Sequence, residues 1–324
     1  ITLNFAIVDA SLDSYQQGLD DHCNIRFCSF CDRYSRLLPP GTKEDMNKRA
    51  GAIKQLDYLC DVCSEQGLKI YLFIDEYDHF TNKILAEPGC LDAYRQETHG
   101  AGYLRLFFDS VKSGTYSSIE RVFVTGVSPV TMDDLTSGFN IGTNYTLNYE
   151  FNEMVGFTEQ EVRDMLTYYT DFCNLHKYSV DELIEIMKPW YDNYCFAKAA
   201  YGETTMYNSN MVLYFIDNYV NGRGRIPDNM VEENIRVDYN KLRMLIRRDR
   251  ETSNSIIKKL TDDGSVTGDL ITGFPIEKIT EHEYFLSLLY YHGILTISGR
   301  YHGMTVFSIP NKSIRLVLDY LLTD

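Results

Sequence analysis

No stretch of the 324-residue chain holds the roughly 20 consecutive apolar residues that a membrane-crossing helix needs, so the sequence reads as a non-membrane protein. Positive charge is also scarce. With 31 Lys and Arg against 46 Asp and Glu, the net charge is −15, and such a surface repels phosphate backbones at long range. Non-specific nucleic-acid binding is therefore not the default. Ile1–Ala10 has no initiating Met and no basic lead, and Asn4 and Asp9 interrupt it, unlike a secretory signal. The expectation is a start segment missing or removed. Cysteine is too sparse for a disulfide framework: Cys23, Cys28, Cys31, Cys60, Cys63, Cys90, Cys173 and Cys195 fit reduced thiols and a cytoplasmic location. Internal repeats, low-complexity tracts and flexible linkers are absent, and the seven histidines show no HExxH or similar ligand spacing.

What remains is ordinary for a globular protein: 44% hydrophobic and 24% charged residues, over a length that favours two domains. Ile1, Leu3, Phe5 and Ile7 alternate as in a strand with one buried face. From about Ser14 to Leu38 apolar residues recur at three and four, a helix closed by Pro39-Pro40-Gly41, and Ile53 to Cys63 forms a second helical stripe. Lys69-Ile-Tyr-Leu-Phe-Ile74 is a continuous apolar run, expected as a strand buried on both faces of a parallel sheet. A helix over Tyr103–Val111 and a second buried strand, Arg121-Val-Phe-Val-Thr125, follow. Alternating strands and helices predict a doubly wound α/β sheet with helices on both faces, whose ligands bind beyond the carboxyl ends of the strands.

Tyr145–Phe151 is expected to add a last strand. Beyond it Thr158 and Glu161 form a capping box, and Val162–Cys173, Val180–Met187 and Met211–Val220 read as helices. The tail reads as helix Glu283–Tyr291, strands Ile294–Ile297 and Thr305–Ile309, and helix Ser313–Leu322, resembling a winged helix. The boundaries expected are an α/β core over 1–152, a helical lid over 153–265 and a winged-helix-like domain over 266–324.

Chemistry concentrates at two strand ends. In Tyr71-Leu-Phe-Ile-Asp75-Glu76 a hydrophobic strand ends in two acids, the arrangement with which P-loop ATPases hold hydrated Mg²⁺ and activate water. A strand that simply ends in solvated acids has the same appearance. Val122-Phe-Val-Thr125-Gly126 ends on a hydroxyl, suited either to sensing a γ-phosphate or to capping its own loop.

Taken together, Ile74-Asp-Glu-Tyr-Asp78, Phe123-Val-Thr-Gly-Val127, Ser137-Gly-Phe-Asn140, Gly156-Phe-Thr-Glu-Gln-Glu161, Trp190-Tyr-Asp-Asn-Tyr-Cys-Phe196 and Tyr207-Asn208 occur in the order seen in the bacterial AAA-ATPase-like family, which the chain resembles. Phe285–Thr296 and Ile309-Pro-Asn311 extend the resemblance toward that family's usual C-terminal nuclease-like domain, for which no catalytic motif occurs in this sequence. The resemblance implies a P-loop-NTPase-like fold, ATP and Mg²⁺ as ligands, and ATP hydrolysis. It makes Asp75 the Mg²⁺-side acid acting through water, Glu76 the catalytic acid of the Walker B strand, and Thr125 the sensor. Asp78 receives no role. Trp190–Phe196 is either a lid motif or an aromatic core cluster with Asp192 bonded locally. The family's Walker A loop, which precedes the segment matching Ile1–Val8, does not occur here, and no Gly-Lys-Ser/Thr loop appears anywhere. Its loss would also remove a central strand, leaving a gap in the sheet or forcing its neighbours to pair.

Two further patterns compete. Cys28-x₂-Cys31 and Cys60-x₂-Cys63 would supply four thiolates to zinc, or serve as small hydrophobes on helical stripes. A basic island containing Arg243, Arg247 and Arg248 would contact nucleic acid, or form a solvated helix face. The alternative to an ATPase is thus a non-catalytic interaction or DNA-associated module on the same scaffold.

Overall fold

The computed structural model describes residues 1–8, 14–79, 102–127, 141–232, 250–273, 275, 278 and 281–322. The chain divides into two compact units, Ile1–Thr143 with Gly273–Ile279, and Asn144–Thr272 with Thr280–Asp324. The Ser137–Asn140 motif and the basic island with Arg243, Arg247 and Arg248 lie outside the described residues.

In the first unit, strands β1 (Thr2–Asn4), β2 (Ile70–Asp75) and β3 (Ile119–Val124) form a parallel sheet in the order β1-β2-β3. Helices α1 (Tyr15–Arg33), α2 (Thr42–Asn47) and α3 (Gly51–Glu65) connect β1 to β2. Helix α4 (Tyr103–Gly114) precedes β3. Both crossovers step across the sheet in the same direction, and right-handed connection then places their helices on the same face. Helices α1, α3 and α4 accordingly pack together, and Leu19, Phe27, Leu56, Leu59, Phe107 and Val111 are wholly buried among them.

This one-sided arrangement corrects the expectation that β2 is buried on both faces. Ile70, Leu72 and Ile74 are buried, whereas Tyr71 and Phe73 are 51% and 43% exposed. On the neighbouring strand Phe123 is 44% exposed and meets Phe73 edge to face, with ring centroids 6.4 Å apart. Among the described residues helices therefore line one face of the sheet instead of two. The sheet has no gap, because the three strands pair directly, and the outer edge of β3 has no partner strand among the described residues.

The second unit opens with a correction. Tyr145–Phe151, expected as a strand, instead contains turns and a short 3₁₀ segment, Tyr149–Phe151. The cause is side-chain competition for the backbone: Asn144 and Asn148 accept hydrogen bonds from the amides of Thr146 and Glu150 at 2.9 Å each, closing two successive Asx turns. Helices α5 (Glu159–Phe172), α6 (Val180–Tyr191) and α7 (Ser209–Asn221) then share a core around Leu166, Leu183, Met187, Tyr191, Met211 and Phe215. Thr158 and Ser179 start α5 and α6 through full capping boxes with Glu161 and Glu182. Helix α8 (Arg250–Asp262) leads to strand β4 (Ser265–Gly268), which the sequence reading did not include. Helix α9 (His282–Tyr291), strands β5 (Thr296–Tyr301) and β6 (Met304–Ser308), and helix α10 (Lys312–Leu322) follow. The small sheet is antiparallel, ordered β4-β6-β5.

The Trp190–Phe196 motif ties the three-helix part to this small sheet. Ser313 donates to the Trp190 carbonyl at 2.7 Å, and the Lys312 ammonium lies 5.5 Å from the Trp190 ring centroid. Asn311 donates to the Asp192 carbonyl at 3.0 Å, and Asn193 donates to that of Pro310 at 3.1 Å. The Cys195 amide donates to Thr296 Oγ1 at 2.8 Å, and Tyr290 donates to the Phe196 carbonyl at 2.7 Å. Buried Asp192 accepts from the adjacent Asn193 amide, the local bond that the aromatic-cluster reading required.

Candidate functional site at the carboxyl end of the parallel sheet

The register aligns Asn4, Asp75 and the end of β3 at one edge of the first unit, with Asn4 opposite Asp75 and Ile74 opposite Val124. Thr125 continues this alignment: its amide donates to the Ile74 carbonyl at 2.9 Å, and its hydroxyl donates to Asp75 Oδ1 at 2.5 Å. Asp75 and Thr125, separated by 50 positions in sequence, are thus joined directly. Strand alternation places Asp75 on the exposed face with Tyr71 and Phe73, where it is open to solvent.

Glu76 follows with φ +56°, a left-handed conformation that costs a residue with a side chain about 1–2 kcal/mol. Such strain collects at functional positions. Several bonds hold this turn: the Glu76 amide donates to Asp75 Oδ1 at 3.1 Å, His79 donates to the Glu76 carbonyl at 3.0 Å, and Tyr77 donates to the Thr125 carbonyl at 3.1 Å.

Asp78 was missed as a site residue. It is fully buried, and its Oδ1 accepts from the Val127 amide at 3.1 Å, fixing the loop that carries Thr125. Gly126 permits this approach, since a Cβ there would lie 2.4 Å from the Tyr77 ring and 2.5 Å from Asp78 Oδ1. The only sequence sign was a glycine directly after Thr125. At the end of β1, the Asn4 amide donates to His22 Nε2 at 3.1 Å, so that nitrogen carries no proton. Burial, and secondarily the nearby Arg26 charge, lower the His22 pKa from its ordinary 6.5.

The cysteines belong to the helical layer. Burial pushes the thiols of Cys31, Cys60 and Cys63 up to about 11, holding them protonated, and Cys28 lies 3.5 Å from Asn47 Oδ1. Among the described residues no group of three or more His, Cys, Asp or Glu is placed to hold a metal, and no helix is long and apolar enough to cross a membrane.

A short parallel sheet with an acid pair and a hydroxyl at its carboxyl end is an α/β arrangement, and ligands of open α/β sheets bind beyond that end of the strands. Residues 1–136 match the family model for AAA-ATPase-like proteins, described as "Predicted AAA-ATPase". This stretch, which contains Asp75, Glu76 and Thr125, is similar to that family, in line with the resemblance read from the sequence. The matched segment ends before Gly156–Glu161, Trp190–Phe196 and the tail motifs. No significant match occurs among curated proteins or solved structures.

Proposed function

We propose that the first unit is the acidic half of an ATP-hydrolysing site, in which Asp75 faces a hydrated Mg²⁺, Glu76 accepts the proton of the attacking water and Thr125 reports the γ-phosphate. The observation that carries this reading is the Thr125–Asp75 hydrogen bond between the ends of adjacent parallel strands, with Glu76 in a strained turn beside it. Mg²⁺ keeps most of its water and asks a protein for only one or two carboxylates, so solvent-open Asp75 fits that role. The phosphates fit less well: this chain has no glycine-rich loop and no loop lysine to cradle them. When bound, MgATP would supply the phosphoryl group and the charge-neutralising cation. Asp75 then contributes an outward oxygen, Thr125 holds that carboxylate in place through its hydroxyl, and Glu76 offers a carboxylate one residue further along.

The sheet supports a location for the missing cradle. A strand added to the open edge of β3 and followed by a helix leading into β1 would cross the sheet opposite to the observed direction. Right-handed connection would put that helix on the other face, over Tyr71, Phe73 and Phe123. Its loop would open at the carboxyl end, beside Asp75.

The second unit supports a winged-helix-like tail, in which β5 and β6 form the wing and α9 precedes it. Helix α9 is poorly suited to a DNA groove, because Phe285–Tyr290 are buried and Glu281 and Glu283 put negative charge at its start. The tail therefore suits protein packing better than DNA recognition.

Titration with Mn²⁺, a paramagnetic stand-in for Mg²⁺, tests the Asp75 role: weak binding is expected, and Asp75→Asn should lower it at least about tenfold. The chain joined to a family strand–loop–helix carrying Gly-Lys-Ser should hydrolyse ATP. Glu76→Gln should then keep nucleotide binding and lose about 100-fold or more in turnover. Turnover unchanged in Glu76→Gln would reject the reading.

A further inference from the structure

In the second unit an open depression of about 430 Å³ is lined by Lys198, Ala199, Tyr201 and Arg300. Arg300 Nη2 donates to the Lys198 carbonyl at 2.6 Å, which brings the guanidinium on β5 against the loop carrying the lysine. The loop itself is anchored. Asn152 Oδ1 accepts from the amides of Phe196 and Ala197 at 3.0 and 2.9 Å, and the Ala200 amide donates to the Ala197 carbonyl at 3.0 Å.

The charge at this place is unusual for the chain. In a protein with 15 excess negative charges, two cations share one concavity, and neither forms an ion pair among the described residues. Glu203, two positions after Tyr201, does not line the depression and accepts from the Tyr149 hydroxyl at 2.7 Å. The Lys198 ammonium, the Tyr201 hydroxyl and the other N–H groups of Arg300 have no hydrogen-bond partner among the described residues.

We propose that this depression binds a phosphate monoester. Such a group carries about −1.5 to −2 charges at pH 7 and three terminal oxygens, matching two cations and three sets of unused donors. A carboxylate, with one charge and two oxygens, would leave part of that set unused. A polyphosphate chain such as DNA would bring many further charges against the acidic surface. The phosphate is carried either by a modified side chain or by a small nucleotide, and the chemistry at the depression is the same.

The test titrates the full chain with inorganic phosphate, phosphoserine, AMP and acetate at equal ionic strength, followed by ³¹P and amide NMR. Saturable binding of phosphate near millimolar strength is expected, with shifts centred on residues 198–201 and 299–301, and acetate should bind at least about tenfold more weakly. The tighter of phosphoserine and AMP identifies the source, and either result supports the site. Lys198→Gln and Arg300→Gln should each reduce affinity about tenfold with unchanged thermal melting, while Asp75→Asn should leave it unaltered, separating this site from the strand-end site. Affinity should fall below about pH 6 as the phosphate takes up its second proton. No saturation by about 20 mM phosphate, equal binding of acetate, or wild-type affinity in both glutamine variants would overturn the proposal.

Discussion

At the scale of single residues, the loop after β3 depends on an absent side chain. Gly126→Ala would press a methyl group into the Tyr77 ring and Asp78 Oδ1, and should destabilise the first unit by about 1–3 kcal/mol in urea unfolding. His22 gives this unit a pH dependence. Its lowered native pKa means that the unfolded chain takes up the proton more readily, so its contribution is complete well above 6.5 and is lost as pH falls through that value. His22→Gln keeps an acceptor for the Asn4 amide and should flatten the stability profile between about pH 5 and 7. The candidate residues Asp75, Glu76 and Thr125 could be picked out because they stand at the ends of recognisable apolar runs. Asp78 was not, since its meaning lies in a contact with Val127 across 49 positions.

At the scale of elements, start signals were the most readable part of the chain. Thr158 with Glu161 announced α5, and the same spacing in Ser179 with Glu182 caps α6. Thr158→Ala and Ser179→Ala should each cost about 1 kcal/mol in chemical denaturation, with helix content at low denaturant nearly unchanged. Burial of β2 was less readable. Every residue from Ile70 to Ile74 is apolar or aromatic, so composition gave no sign that alternate side chains face solvent. The direction of the crossovers decides that, and it is a property of strand order. The aromatic alternation of Tyr145–Phe151 misled for a local reason, because two asparagines turn the chain before a strand can form.

At the scale of the whole molecule, two units with separate cores should unfold in two calorimetric transitions. Gly126→Ala should lower one transition. Tyr290→Phe, which leaves the Phe196 carbonyl without its donor, should lower the other by an amount equivalent to about 1–2 kcal/mol. A single transition moved equally by both substitutions would contradict this division. The alternation of strands and helices made the α/β character of the first unit readable. The joining of the helical part to the C-terminal sheet was not readable, because its bonds span about a hundred positions and rest mainly on backbone groups.

The seam from Trp190 to Phe196 limits how such a chain can be cut or recombined. Five polar bonds and a cation–ring contact cross from it to residues 290–313, so a protein ended near residue 265 would keep its three helices but lose the groups that satisfy the end of α6. A graft of the tail from a relative would succeed only if the seven-residue seam travelled with it. The tail and the seam are, in effect, one inheritable piece.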